Sequence, residues 1–277
     1  MFVWLQDDVS FASWTTSFVR HLSGIFTLSG FHSRQLPPHA LEKAVVTPNG
    51  IDPSYFVDGP NHHDRFVYGS APNRGLETVL RCWPAIRSAV PGATLHVYYG
   101  FSESFVKHGR AHIPGFDAWR LAMESLLAQE GVAYEGMVNH SRLAAGYANA
   151  GFILYPTTYP ETGCVTMMKA MAMGAVPITS RFPHSTLPEL TEPFDLGPRP
   201  LSFLPASALE PALEPALEPG WADEWVRAVI DASQRDAAGR LTAHRVAMKA
   251  AARDRFLWSS VARIWHKAFT SPDSSAP

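Results

Sequence analysis

Cysteine is scarce in this chain: two residues, Cys82 and Cys164, among 277. Their spacing outlines neither a disulfide framework nor a metal site, and a reducing, cytoplasmic setting is the simplest expectation. Long apolar runs are missing as well. No stretch comes near the roughly 18 consecutive apolar residues of a membrane-spanning helix, so no transmembrane segment is expected. The opening residues, MFVWLQDDV, show no basic lead-in and no cleavage site, so no signal peptide is expected. Neither sign of charge dominates. The 23 Lys and Arg against 25 Asp and Glu leave a net charge of −2, which gives no electrostatic footprint for nucleic acid. No Asp-x-Asp motif occurs; Asp7 and Asp8 are adjacent, which suits one ion poorly, and they close an apolar run. His21, His32, His39 and His140 have no partners that their spacing identifies. No metal is expected.

What the chain does have is apolar material for a core: 46% of residues are apolar and 17% charged, the balance of a globular domain. The length fits one large domain, or one domain and part of another. FVWL (2–5) predicts a strand. Phe11, Trp14, Phe18, Val19 and Leu22 recur with helical spacing, and IFTLS (25–29) and VVT (45–47) predict two more strands. In PNGIDP (48–53) two prolines bracket an Asn-Gly pair, the mark of a firm reversal or hinge.

Regular alternation follows. RFVYG (65–69), TLHVYYG (94–100), VAYEG (132–136), FILYP (152–156) and VPITS (176–180) predict strands, with helical patterns at 76–86, 116–129, 141–150 and 163–173 between them. Such alternation argues for βαβ units and a Rossmann-like, doubly wound parallel α/β layer. Met167, Met168, Met171 and Met173 are expected to fill core. ALEPALEPALEP (208–219) carries proline at every fourth residue, which forbids a continuous helix and predicts a surface linker. Helical stretches resume from Trp221, and SPDSSAP (271–277) predicts a frayed tail.

Parallel α/β sheets bind ligands beyond the carboxyl ends of their strands. Two such loops stand out. YGSAPNRGLETVL (68–80) leaves a strand and opens a helix. Gly69, Ser70 and Gly75 allow close backbone approach, helix-start amides favour anions, and Arg74 suits phosphate. A plain strand–helix turn with a solvated arginine accounts for the same residues. The loop matches neither G-x-G-x-x-G nor a P-loop. The second loop, TTYPET (157–162), leads into a helix ended by Gly174. Gly163 and Cys164 present bare N–H groups at its start, with Glu161 just before them. Glu161 can cap those amides, or it can hold a sugar hydroxyl while a phosphate sits on them; the pattern leaves both open.

Taken in order, PNGID, the turn with Arg74, VAYEGMV and YPTTYPETGCVTMMKAMAMGAVPITS resemble the C-terminal, donor-binding half of retaining GT-B glycosyltransferases, the group 1 or family 4 type that includes sucrose- and glycogen-synthase-like enzymes. The resemblance covers 25–269. It implies a retaining hexosyltransferase that moves a sugar from a nucleotide diphosphate, UDP or GDP, to a glycan, lipid or small-molecule acceptor. No further cofactor is implied, and a peripheral membrane contact is compatible with it.

Residue by residue, the resemblance places Asn49 and Gly50 in an interdomain linker. Arg74 stands where the family usually has a lysine on the donor diphosphate. Gly136, Met137 and Val138 form the loop near the base. Glu161 matches the first glutamate of the E-x7-E motif, which binds a hydroxyl of the transferred sugar. The backbone from Gly163 to Val165, including Cys164, would meet the diphosphate, and Thr162, Gly69 and Ser70 complete the expected nucleotide-sugar contacts. Arg74 and Glu161 are the expected catalytic pair.

Two departures stand beside it. The second motif glutamate is Lys169, which donates hydrogen bonds but cannot accept them; it is expected on the ribose or a phosphate, or it is a solvated flank lysine. The front also holds only closing strands, so 1–48 is expected to be a partial N-terminal Rossmann remnant. On this reading 49–63 is the linker, and 64–254 the nucleotide-sugar domain with a proline-rich loop at 205–220. The last helix, 255–270, crosses back onto the front, and 271–277 is a disordered tail. A missing half or a partner chain would then cover Trp4, Trp258 and Trp265. The competing readings are a non-catalytic nucleotide-sugar-binding remnant and an epimerase of the same two-domain fold.

Overall fold

The computed structural model describes residues 1–7, 11–201 and 218–270. Asp8, nearly all of the proline repeat with its expected loop, and the tail 271–277 lie outside the described residues. The first unit is small. Strands β1 (Phe2–Trp4), β2 (Gly24–Thr27) and β3 (Ala44–Val46) form a parallel sheet in the order β1-β2-β3, with helices α1 (Thr16–Arg20) and α2 (Gly30–Ser33) between them. The helical spacing over 11–22 becomes the short α1. Its start is fixed by Thr15, whose hydroxyl accepts the N–H of Phe18 at 3.2 Å. Phe11 and Trp14 lie ahead of that cap, meet edge to face at 5.0 Å, and pack with Val19 and Leu22 into a small separate core.

The second unit is the doubly wound α/β layer. In chain order it runs β4 (His62–Tyr68), α3 (Leu76–Ala89), β5 (Thr94–Tyr98), α4 (Glu103–His112), α5 (Phe116–Leu127), β6 (Val132–Gly136), α6 (His140–Asn149), β7 (Ala150–Tyr155), α7 (Val165–Met173) and β8 (Val176–Thr179). The five strands pair in parallel in the order β6-β5-β4-β7-β8. Strand β7, AGFILY, is buried at every residue, as expected where helices cover both faces. The four methionines of α7 are core residues. Helix α4 was not legible in the sequence. ESFVKHGRAH has few apolar residues and an internal glycine, and its start depends on Ser102, whose hydroxyl accepts from the Phe105 N–H at 3.2 Å.

Helices α8 (Leu187–Thr191), α9 (Trp221–Ala237), α10 (Thr242–Arg255) and α11 (Trp258–Thr270) complete the described chain. Buried polar groups join these elements. Asn61 Nδ2 donates to the carbonyls of Tyr147, Ala150 and Met173, tying the ends of α6 and α7 to the sheet. Arg245 on α10 donates to the carbonyls of Gly151 at 2.8 Å and Gly174 at 2.5 Å and pairs with Asp236. Ahead of β4, Ile51 N–H donates to the Phe256 carbonyl at 2.6 Å, and Asp58 pairs with Lys249 and Arg253. Helix α11 lies across the small sheet. Trp265 stacks on Phe26 at 5.0 Å and meets Trp4 edge to face at 4.9 Å, and its indole N–H donates to Thr47 Oγ1 at 2.9 Å. Two of the three tryptophans expected to need an outside partner, Trp4 and Trp265, therefore touch each other, and Trp4 stays partly exposed.

Candidate functional site

In the five-stranded sheet the strand order reverses between β4 and β7, the place where open α/β sheets leave a crevice. The loops leaving these two strands carry both stretches singled out in the sequence. Gly75 sits at the start of α3 with φ +96°, and a Cβ there would come within 3.0 Å of the Pro156 backbone. Only glycine brings the two loops this close. Gly69 makes room for α6, since a Cβ would lie 2.3 Å from the buried Tyr147 hydroxyl.

Across this junction Arg74 Nη1 donates to Glu161 Oε1 at 2.9 Å, and Tyr155 Oη donates to the same oxygen at 2.5 Å. Ser70 Oγ lies 3.1 Å behind Tyr155 Oη. The Arg74 guanidinium also stands 4.0 Å over the Tyr159 ring, a cation–π arrangement. Glu161 is 6% exposed. Burial disfavours the Arg74 charge, yet the Glu161 carboxylate together with the Tyr155 and Tyr159 oxygens holds its pKa above the ordinary guanidinium value. Burial, reinforced by Glu161, pushes the Tyr155 hydroxyl far up, so it stays a donor.

Of the two roles open to Glu161, the structure does not form the cap. No side chain caps α7, and the Glu161 carboxylate is engaged by Arg74 and Tyr155 instead. The amides of Gly163 and Cys164 thus lead into α7, and that of Val165 opens it, without a capping side chain and next to a paired Arg–Glu. Thr166 Oγ1, in the first turn of α7, donates to the Gly69 carbonyl at 2.9 Å and ties the two loops together. The small sheet reaches the same place. Ser29 Oγ donates to the Thr162 carbonyl at 2.8 Å, the Leu28 side chain abuts Gly163, and Glu189 of α8 takes the Gly30 N–H at 2.7 Å and the Arg34 guanidinium at 2.9 Å. Cys164 is buried, and burial followed by Glu161 raises its thiol pKa.

Lys169 is not a free flank residue. Its ammonium donates to His140 Nδ1 at 2.9 Å, which places the His140 proton on Nε2. Tyr55 stacks on the His140 ring at 5.1 Å. Burial lowers the Lys169 pKa. Gly136 ends β6 with φ +64°, and Met137, 65% exposed, and Val138 follow it. Among the described residues no hydrogen bond joins this loop to Arg74 or Glu161. The other histidines have partners that spacing could not identify: the His21 and His39 rings bond the carbonyls of Ser17 and Trp14, and His32 Nδ1 takes the Leu28 N–H. Tyr155, Tyr159, Thr166, Ser29 and the His140 contact were missed from sequence. Tyr155 was hidden because, as the last residue of an all-apolar strand, it reads as core.

No known family pattern matches the chain, and no characterised protein matches it by sequence. Solved structures do match. A sucrose-phosphate synthase from Thermosynechococcus elongatus superposes with a TM-score of 0.62 at 17% identity, over 92% of this chain and 59% of that one. HepE of Anabaena, in complex with UDP and glucose, gives 0.65 at 12% identity, over 97% and 71%. A glycosyltransferase from Rickettsia africae gives 0.69 at 12%, over 98% and 71%. The chain thus spans 59% of the length of that synthase. The fold is that of GT-B glycosyltransferases, of which this chain carries a part, with a Rossmann-like parallel α/β sheet. Among the described residues no helix is long and apolar enough to cross a membrane.

Proposed function

We propose that the chain is the donor-binding part of a glycosyltransferase that moves a sugar from a nucleotide diphosphate to an acceptor with retained configuration. One observation carries this: an Arg–Glu pair at the sheet's reversal point, beside the uncapped amides of α7. The diphosphate takes the Arg74 guanidinium and the amides of Gly163 to Val165; helix-start amides and arginine both favour phosphate. A hydroxyl of the sugar takes Glu161. Ser70 and Gly69 line the phosphate side, and Gly136, Met137 and Val138 border the base. Lys169 with His140 faces the ribose or an adjoining phosphate. The nucleotide is UDP or GDP, and UDP is tried first because the HepE complex contains UDP and glucose.

In the chemical step the bond from the anomeric carbon to the leaving phosphate oxygen breaks, and its electron pair stays on the diphosphate. Arg74 and the α7 amides stabilise that growing charge in place, without reorganising at the moment of reaction. Glu161 fixes the sugar while the acceptor oxygen bonds the anomeric carbon from the face the diphosphate leaves, and the acceptor's proton passes to the departing phosphate oxygen. Because Arg74 and the amides meet the charge, no metal is required, and EDTA leaves the rate unchanged. The two unpaired thiols suit a cytoplasmic setting. The test is transfer: purified protein with UDP-glucose or GDP-mannose and a mixed acceptor pool, read by nucleotide release and by NMR of the product's anomeric proton. Retained configuration supports the reading. Donor binding without release, in any acceptor pool, makes the chain a binding remnant.

A further inference from the structure

The Tyr155 hydroxyl has one proton, and the carboxylate of Glu161 only accepts. With that proton on Glu161 Oε1, the Ser70 hydroxyl 3.1 Å away must be the donor to Tyr155. The chain of bonds therefore runs from Ser70 to Tyr155 to Glu161, and Arg74 meets it from the other side. Both bonds from Arg74 and Tyr155 end on Oε1. Among the described residues no hydrogen bond is made to Oε2. Tyr155 itself is 0% exposed, and its ring is held against Tyr68 at 5.9 Å. It ends β7, and Tyr68 ends β4, so the anchor is built into the two strands that flank the crevice.

We propose that Tyr155 is the positioning residue of the sugar subsite: it fixes the Glu161 carboxylate by Oε1 and so presents Oε2 to a sugar hydroxyl. This rests on the reading of Glu161 given under Proposed function. The two Oε1 donors differ in what a donor substrate does to them. Arg74 has 30% of its side chain exposed and is the group a diphosphate claims. Tyr155 is buried and out of a ligand's reach. When Arg74 turns to phosphate, Tyr155 remains as the bond that holds Glu161. Its contribution is therefore larger in the loaded site than in the empty one, and it acts on the sugar and not on the nucleotide.

The experiment is a double-mutant cycle read by calorimetry. Wild type, Tyr155→Phe, Glu161→Ala and the double variant are titrated with UDP and UDP-glucose, and with GDP and GDP-mannose; the pair bound more tightly by wild type is carried through. The quantity read is the sugar increment, the ratio of the two affinities. Tyr155→Phe is expected to cut that increment about tenfold, as for a lost bond to a charged group, with bare-nucleotide affinity changed less than about twofold. In the Glu161→Ala background the same change is expected to have no effect on the increment. Ser70→Ala is expected to reduce the increment by a smaller factor, and it carries the test if Tyr155→Phe does not fold. Equal losses for nucleotide and nucleotide sugar, or full additivity in the cycle, overturn the positioning role. A wild-type increment that Tyr155→Phe leaves intact overturns this inference alone, whereas a wild type with no increment for either pair overturns it together with the reading of Glu161.

Discussion

Arg74 and Glu161 stand 87 residues apart in the chain and 2.9 Å apart in the fold. The pair joins the loops that leave β4 and β7, and on the proposed reading each partner is a group a nucleotide sugar claims. The two charges satisfy each other, and on the proposed reading binding exchanges this pair for contacts to phosphate and sugar hydroxyl.

Glu161→Ala follows from that exchange. On the proposed reading it removes the sugar's partner and leaves Arg74 free for phosphate. Binding of the nucleotide sugar is expected to weaken about tenfold or more, with bare nucleotide held or slightly tightened. Equal losses in calorimetry for both ligands would exclude a sugar-hydroxyl role.

The resemblance expects an acceptor at the position where this chain has the donor Lys169. On the proposed reading Lys169→Glu supplies an acceptor for the ribose hydroxyls, and a carboxylate there can take a proton from His140 Nδ1 once the ring carries it on that nitrogen. Nucleotide affinity is expected to rise several-fold, roughly the yield of one charge-assisted bond. A clear loss would show that the ammonium has an anionic contact of its own.

Arg245 ties β7, α7 and α9 through the Gly151 and Gly174 carbonyls and Asp236. Arg245→Ala leaves a carboxylate and two carbonyls short of a partner, at a cost of about 3 kcal/mol. Urea unfolding monitored by circular dichroism measures it; a change under about 0.5 kcal/mol would contradict the packing described.

Asp58 has a pKa lowered to about 2, first by Lys249 and then by Arg253. A folded pKa below the unfolded value gives stability that is present above about pH 4 and lost as pH falls through about 2. The side chain is 70% exposed, so solvent screening keeps the gain below about 1 kcal/mol. Asp58→Asn is expected to lower stability slightly at pH 7 and to converge with wild type near pH 2. A difference that persists at pH 2 would assign the effect to something other than charge.

Burial, aided by Asp223, pushes the Cys82 thiol up to about 11, and burial, followed by Glu161, raises Cys164 well above its ordinary value. Thiolate is the reactive form. Neither cysteine of the folded protein is expected to react rapidly with a chromogenic disulfide at pH 8, and both are expected to react after denaturation. Fast labelling of the native protein would contradict this.

The sheet was legible because its strands are short apolar runs set at regular distances between helical patterns. VPITS matches β8 almost residue for residue, and FILYP matches β7 from its third residue, Ala150 and Gly151 belonging to the strand as well. The stretch 11–22 was not: Phe11 and Trp14 sit at helical spacing, but the Thr15 cap and a small core of their own set the helix boundary. At the site, Arg74 and Glu161 were visible as polar residues in loops. Their pairing was not, because it depends on Gly75 admitting Pro156 to van der Waals distance, a tertiary fact. Tyr155 was invisible for the converse reason: a hydroxyl at the end of a buried strand carries no pattern until its partners are placed. The Lys169–His140 bond joins α6 to α7 over 29 residues, and nothing in either segment alone announces it.

Calorimetry of the purified chain against UDP-, GDP- and ADP-sugars tests the donor site most directly. Clear preference for one base, with the sugar adding affinity over the bare nucleotide, is the expected result. Binding of none of them, or binding that the sugar does not improve, would contradict a donor site built on Arg74, Glu161 and the start of α7.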